Sequence, residues 1–227
     1  MLQSRGARFA AGNPARGRGH AVDQGSIELK PCVAIVDSGG ANIASLTCAL
    51  ERLRVRCVLT ADAATIESSS HVILPGVGAA ADAMQTLHEN HLTTVLRGLT
   101  QPVLGICLGL QLLAERSEED DAECLGVIPG TARKLEASPL SPVPNMGWCP
   151  VTPVREHALF EGIANGSHFY FVHSYALAVA EFTVATATHK GPLTAIASER
   201  NFCATQFHPE RSAGAGARLL ANFMAMQ

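Results

Sequence analysis

From residue 32 onward, short apolar runs alternate with stretches in which apolar residues return every third or fourth position, the sequence form of an α/β protein. Cys-Val-Ala-Ile-Val at 32–36 reads as a strand buried on both faces, and Ile43, Leu46, Leu50 and Leu53 then mark one face of a helix. Residues 55–59 and 71–74 are further strand candidates. A helix follows somewhere within 81–99, where Met84, Leu87, Leu92 and Leu96 recur at helical steps. Residues 103–106 read as another buried strand, running directly into a helical stretch over 108–115. This alternation predicts a central, mostly parallel sheet flanked by helices. In the C-terminal half the texture changes: 169–172, 182–188, 193–197 and 202–207 read as successive strands joined by turns, adding antiparallel strands. A helix over 216–226 closes the chain.

With 227 residues, 47% of them hydrophobic and 16% charged, the chain can bury the core of one ordinary domain. No internal repeat or composition shift divides 31–227, so one domain is expected there. Residues 1–30 are rich in Gly and Ala, with Arg5, Arg8, Arg16 and Arg18, and read as a flexible tail. That Arg-rich, acid-poor start superficially resembles an organelle transit peptide, but it has neither an amphipathic apolar stripe nor the continuous apolar segment of a secretory signal. A formal net charge of −3 gives no general case for nucleic acid or an anionic membrane as partner. The apolar runs fall far short of the roughly 20 residues that span a bilayer. The cysteines number 7 and are scattered, which argues against a disulfide framework and fits a reducing cytoplasm. The histidines show no ligand spacing, so no metal site is expected, and His71, His88, His91, His157, His168 and His189 are read as structural or surface residues.

The chemistry concentrates in Pro-Val-Leu-Gly-Ile-Cys-Leu-Gly-Leu-Gln-Leu-Leu at 102–113, where Gly105 and Gly109 flank Cys107. A sharp strand-to-helix turn brings backbone against backbone two residues either side of its apex, where only glycine fits. Such an elbow holds the sulfur out at the carboxyl edge of the sheet. A helix N-terminus there favours the thiolate, the reactive form, through its unpaired N–H groups and dipole. The same residues also fit a buried structural cysteine packed between strand and helix.

A base changes the balance. Gln-Phe-His-Pro-Glu at 206–210 sets His208 and Glu210 two positions apart, and Pro209 disfavours a helical His208. In extended chain, residues i and i+2 face the same side. His208 then meets the sulfur while Glu210 binds the far ring nitrogen, as the acid does in a nucleophile–base–acid triad. An isolated His-x-Glu is more often a surface pair. Attack on an amide also needs N–H donors for the oxyanion. Leu-Pro-Gly-Val-Gly at 74–78 follows a strand and offers the backbone of Val77 and Gly78, with the Leu108 N–H as a second donor; by itself the segment reads equally well as a tight turn.

These residues resemble the class I, or triad, glutamine amidotransferases across 32–227. Gly-Ile-Cys-Leu-Gly-Leu-Gln-Leu-Leu from 105 and Gln-Phe-His-Pro-Glu-Arg-Ser from 206 resemble the class as a whole. The stretches at 37–42, 74–78, 144–148 and 170–175 resemble its branch of glutaminase subunits that serve imidazole glycerol phosphate synthesis. The resemblance implies a class I amidotransferase-like α/β fold. It implies a cofactor-free hydrolysis of glutamine with Cys107, His208 and Glu210 as the triad. It implies that Gly76, Gln111, Glu119, His173, Ser174 and Tyr175 hold the glutamine; without it, Gln111 reads as a helix-surface residue and Tyr175 as an aromatic at a strand end. It also implies that ammonia passes to a separate (β/α)₈-barrel cyclase subunit in a heterodimer, since such a barrel takes about 250 residues of its own.

Several positions depart from the usual pattern of that family. Ser38 stands where an aromatic is common, Ala41 where glycine is usual and Ala80 where phenylalanine is frequent; Asn145 replaces a histidine and Cys149 an asparagine. None removes a triad member. The alternatives at this point are a sister glutaminase serving a pyridoxal phosphate or anthranilate synthase, a cysteine peptidase, and a non-catalytic paralogue that only regulates a cyclase.

Overall fold

The computed structural model describes residues 33–39 and 43–227. The tail expected over 1–30, Cys32 of the first strand and residues 40–42 of the 37–42 motif lie outside the described residues. β1 (Val33–Val36), α1 (Ile43–Arg52), β2 (Cys57–Thr60), α2 (Ala63–Ser68) and β3 (His71–Gly76) open the chain. α2 escaped the sequence reading because Ile66 is its one buried side chain, too little for a periodic signal. Its start is set by Asp62, whose carboxylate accepts from the Thr65 N–H at 2.8 Å.

The helical pattern of 81–99 divides into α3 (Ala80–Glu89) and α4 (Leu92–Gly98), because His91 takes a left-handed conformation between them (φ 57°). β4 (Val103–Cys107) then leads into α5 (Leu108–Leu113). The helix expected over 108–115 is shorter than its pattern. Every residue of α5 is buried, so periodicity could not mark its end. Ala114 and Glu115 instead begin β5 (Ala114–Ser117).

Next come β6 (Ala122–Glu123), β7 (Ile128–Lys134), β8 (Asn145–Pro150), β9 (Thr152–Pro153), β10 (His168–His173), β11 (Tyr175–Ala176), β12 (Thr183–His189), β13 (Gly191–Glu199), β14 (Phe202–Thr205) and α6 (Ala213–Met224). The strand expected over 202–207 ends at Thr205, whose hydroxyl donates to the Phe207 carbonyl at 2.9 Å and bends the chain out of the ladder.

The main sheet is 8-stranded, in the order β2-β1-β3-β4-β14-β13-β12-β9. The pairings from β2 through β14 are parallel, and β13, β12 and β9 add antiparallel strands at one side. Separate small sheets pair β10 with β8 and order β11-β7-β5-β6. Alternate residues of the parallel strands feed two cores. Ala34, Val36, Val72 and Leu74 pack with α3, α4 and α5; Val33, Ile35, Ile73, Leu104 and Ile106 pack with α1, α6 and Phe169, Phe171 and Phe207. Burial on both faces explains why these strands read as unbroken apolar runs. No helix among the described residues is long and apolar enough to cross a membrane.

Candidate active site

Strand register brings the site together. In the β3–β4 pair, Leu74 lies opposite Gly105 and Gly76 opposite Cys107; in the β14–β4 pair, Thr205 lies opposite Ile106. The loop after β3, the end of β4 and the residues after β14 therefore reach one carboxyl edge, where open parallel sheets place their ligands.

Cys107 sits at the apex of the elbow with φ 55° and ψ −103°, a conformation that L side chains seldom adopt, and it is nearly buried at 7% exposure. The glycines beside it are sterically required. A Cβ on Gly109 would stand 2.0 Å from the Leu74 carbonyl oxygen, and one on Gly105 would stand 2.8 Å from the Gly109 carbonyl oxygen. The expected clash is therefore real, and its partners are backbone atoms that cannot swing aside. A Cβ on Gly76 would meet the Leu108 Cβ at 2.8 Å, so the 76–78 loop packs directly on the start of α5.

His208 is extended (φ −97°, ψ 97°) and 6% exposed. Its backbone is fixed on both sides: its N–H donates to the Tyr170 carbonyl at 2.9 Å, and the Ser212 hydroxyl donates to its own carbonyl at 2.6 Å. Its Nδ1 lies 2.8 Å from Glu210 Oε1, and the Cys107 side chain stands on the other side, near enough to shift the ring's pKa. Sulfur, imidazole and carboxylate thus form a continuous chain. The route to Glu210 differs from the extended i, i+2 arrangement expected: Pro209–Arg211 is a 3-10 turn, with proline at its first position, and Glu210 folds back onto the ring from within it.

Burial alone would lower the pKa of His208, but the hydrogen bond with Cys107 and the Glu210 carboxylate outweigh it and raise the pKa to about 10. A protonated imidazole beside sulfur and carboxylate is the state this environment favours. The Cys107 thiol also reaches the Val172 carbonyl at 3.6 Å.

A cavity of about 300 Å³ opens over the sulfur, at the small end of the roughly 300–1,000 Å³ usual for small-molecule sites. It is lined by Cys107, Leu108 and His208 together with Gly76, Val77, Gly78, Gln111, Glu119, His173, Ser174 and Tyr175, and by Pro144 and Val172. Every sequence-predicted site residue borders it except Glu210, which stands behind His208. Gln111 is 5% exposed, so its reading as a surface residue is overturned. Its Oε1 accepts from the Ser117 hydroxyl at 2.9 Å, and the same hydroxyl accepts from the Glu119 N–H at 3.1 Å. Glu119 accepts from the Ala80 N–H at 3.0 Å, and burial pushes its carboxyl pKa above the usual value.

The sequence reading missed Ser117, the Val172 carbonyl and the clamp on His208 made by Ser212. Ser117 lies on a short strand without alternation, and a backbone carbonyl leaves no trace in side-chain chemistry. A wider depression of about 790 Å³ lies elsewhere, bordered by Arg155, His157, Phe160 and neighbours, and includes none of the predicted site residues. Size does not locate the site; the joined sulfur, imidazole and carboxylate do.

Comparison with known proteins agrees with this geometry. Residues 34–226 match the family model "Glutamine amidotransferase class-I". The chain is 49% identical over 195 residues to imidazole glycerol phosphate synthase subunit HisH 2 of Legionella pneumophila (strain Lens), covering 86% of this chain and 98% of the relative. It is 49% identical over 194 residues to the HisH subunit of Xanthomonas euvesicatoria pv. vesicatoria (strain 85-10), covering 86% and 97%. Among solved structures, one described as a glutamine amidotransferase superposes with a TM-score of 0.67 at 18% identity, over 86% of this chain and 97% of that one. The structure of PurLQS from Thermotoga maritima superposes with a TM-score of 0.65 at 15% identity, over 87% of this chain and 99% of the matched chain. Those two likenesses establish the fold, and the sequence matches carry the assignment: the chain belongs to the class I glutamine amidotransferases, among the HisH subunits of imidazole glycerol phosphate synthase.

Proposed function

We propose that this chain is the glutaminase subunit of an imidazole glycerol phosphate synthase, with Cys107 as nucleophile, His208 as acid and base, and Glu210 as the group that orients the imidazole. The observation that carries the proposal is that Cys107 and His208 border one small cavity together, with Glu210 hydrogen-bonded to the imidazole from behind.

Glutamine enters with its side-chain amide over the sulfur and its amino-acid end held by Gly76, Gln111, Glu119, His173, Ser174 and Tyr175. The thiolate attacks the amide carbonyl. Negative charge on the tetrahedral oxygen is met by the backbone at Val77 and Gly78 and by the Leu108 N–H at the start of α5. His208 gives its proton to the departing ammonia, so the amide C–N bond breaks and a glutamyl thioester remains. The same imidazole, now neutral, deprotonates water; hydroxide cleaves the thioester to glutamate and restores the thiolate. Glu210 bonds Nδ1 throughout and keeps Nε2 directed at sulfur or water.

The ammonia passes to a separate (β/α)₈-barrel cyclase, which makes imidazole glycerol phosphate and aminoimidazole carboxamide ribonucleotide for histidine biosynthesis. Support for a docked partner comes from Met146 and Trp148, large apolar side chains 63% and 52% exposed on the strand that begins beside the cavity. The test is co-purification with a barrel cyclase followed by glutamine-dependent synthesis of imidazole glycerol phosphate. Formation of both products with glutamate in equal amounts supports the reading, and a complex that uses only free ammonia contradicts it.

A further inference from the structure

We infer that Asn145 is a positioning residue: it donates the hydrogen bond that holds the His173 imidazole in its Nδ1–H tautomer and thereby braces the 173–175 corner of the cavity. The inference deepens the glutaminase reading and rests on it for its kinetic test.

Register in the β8–β10 pair sets Asn145 directly opposite His173, and both side chains are buried. His173 Nδ1 lies 2.9 Å from the Tyr175 carbonyl oxygen, which can only accept, so Nδ1 carries the hydrogen. The other ring nitrogen, Nε2, lies 3.0 Å from Asn145 Nδ2, an amide nitrogen that can only donate. Nε2 must then be bare. The Asn145 carboxamide oxygen faces the Cys149 sulfur at 3.8 Å, where it accepts from the thiol, and this fixes which way the amide is turned. Burial lowers the His173 pKa to about 4, with His189 and His208 adding to the effect against the Tyr175 carbonyl, so the ring is neutral near pH 7.

Both ring nitrogens are therefore occupied by the protein. The wall that His173 gives the cavity carries neither a charge nor a free N–H. The same two bonds tie β8 to the junction between β10 and β11, and the Leu135 N–H holds that junction from its other side by donating to the Ser174 carbonyl at 2.8 Å. Val172, whose carbonyl accepts from the Cys107 thiol, precedes this corner by one residue. The brace thus sets the distance between the sulfur and Ser174 and Tyr175. Histidine, which the family's usual pattern has at this position, also offers a ring N–H; leucine and aspartate offer no donor.

The test combines side-chain ¹⁵N NMR of the full chain with glutaminase kinetics in the presence of its cyclase partner. In the wild type at pH 7, His173 shows one protonated Nδ1 and one bare Nε2. In Asn145→Asp the carboxylate demands a proton on Nε2, and both nitrogens become protonated. Asn145→Leu raises the KM for glutamine about tenfold, on the order of one buried hydrogen bond, with kcat changed by less than about twofold. Asn145→His restores KM to within about twofold. A wild-type ring protonated on Nε2, a KM unmoved in Asn145→Leu, or an equal loss in Asn145→His would overturn the inference. Should Asn145→Leu fail to fold, the near-isosteric Asn145→Asp serves for the kinetics as well. A wild-type chain without glutaminase activity refutes the functional reading, while the nitrogen signals still decide whether Asn145 sets the tautomer.

Discussion

In the parallel half of the main sheet, β3, β4 and β14 end together, so Gly76 and Cys107 meet through ladder register and close backbone packing. Across the cavity, Gln111, His173 and Glu119 are held largely through side-chain hydrogen bonds, to Ser117 on β5, to Asn145 on β8 and the Tyr175 carbonyl, and to the Ala80 N–H. The first region fixes atoms by excluding every extra carbon. The second fixes them by satisfying polar groups one at a time. Substitutions that add volume should therefore be worst at the elbow, and substitutions that remove a polar atom should be worst at the wall.

The largest effect tests the nucleophile itself. Cys107→Ala is expected to lower glutamate release by roughly 10³-fold or more while the fold persists, as removal of a triad nucleophile does; substantial turnover in that variant would refute the role. Next comes the acid. Glu210→Gln should cost on the order of 10²-fold in kcat, because an amide nitrogen turned toward Nδ1 disfavours the Nδ1–H tautomer.

Glu210→Gln also has a stability signature. The folded-state pKa of His208 lies at about 10, above its unfolded value near 6.5, so its contribution to stability is complete below pH 6.5 and is lost as pH rises through 10. The stability gap between wild type and Glu210→Gln, read by urea unfolding, should be wide near pH 6 and should close above pH 10. A gap that widens with pH reverses the predicted sign.

Smaller effects sharpen the contrast between the regions. Gly109→Ala should destabilise by about 2–4 kcal/mol, since its Cβ meets backbone, whereas Gly191→Ala, with open space around it, should stay within ~0.5 kcal/mol. Equal melting shifts for the two would undercut the packing argument. Ser117→Ala should raise the KM for glutamine a few-fold, about 1 kcal/mol, by releasing Gln111. A variant with unchanged KM would mean that the Gln111 carboxamide is held without it.

The same division governs what the sequence could reveal. β1, β3 and β4 are buried on both faces and stand out as unbroken apolar runs; Gly105 and Gly109 betray the elbow because no other residue fits there. Cys107, His208 and Glu210 were legible because their chemistry requires those residue types in company. The polar wall left weaker marks. β5, β6, β7 and β8 are short or half-exposed, so alternation alone does not separate them from loops, and the apolar pattern overruns the end of α5 because burial on all sides erases its face. The glutamine-holding roles proposed for Gln111 and Tyr175 come from family resemblance alone, since a buried carboxamide and an exposed one are spelled alike. Ser117 shows its use only once β5 has carried it back over Gln111.

The most direct test of the account is covalent trapping with a diazoketone analogue of glutamine, followed by peptide mass spectrometry. One adduct on Cys107, prevented by excess glutamine and greatly slowed in His208→Asn, is the predicted result. Labelling of another cysteine, or labelling of Cys107 that neither glutamine nor the loss of His208 affects, would contradict it.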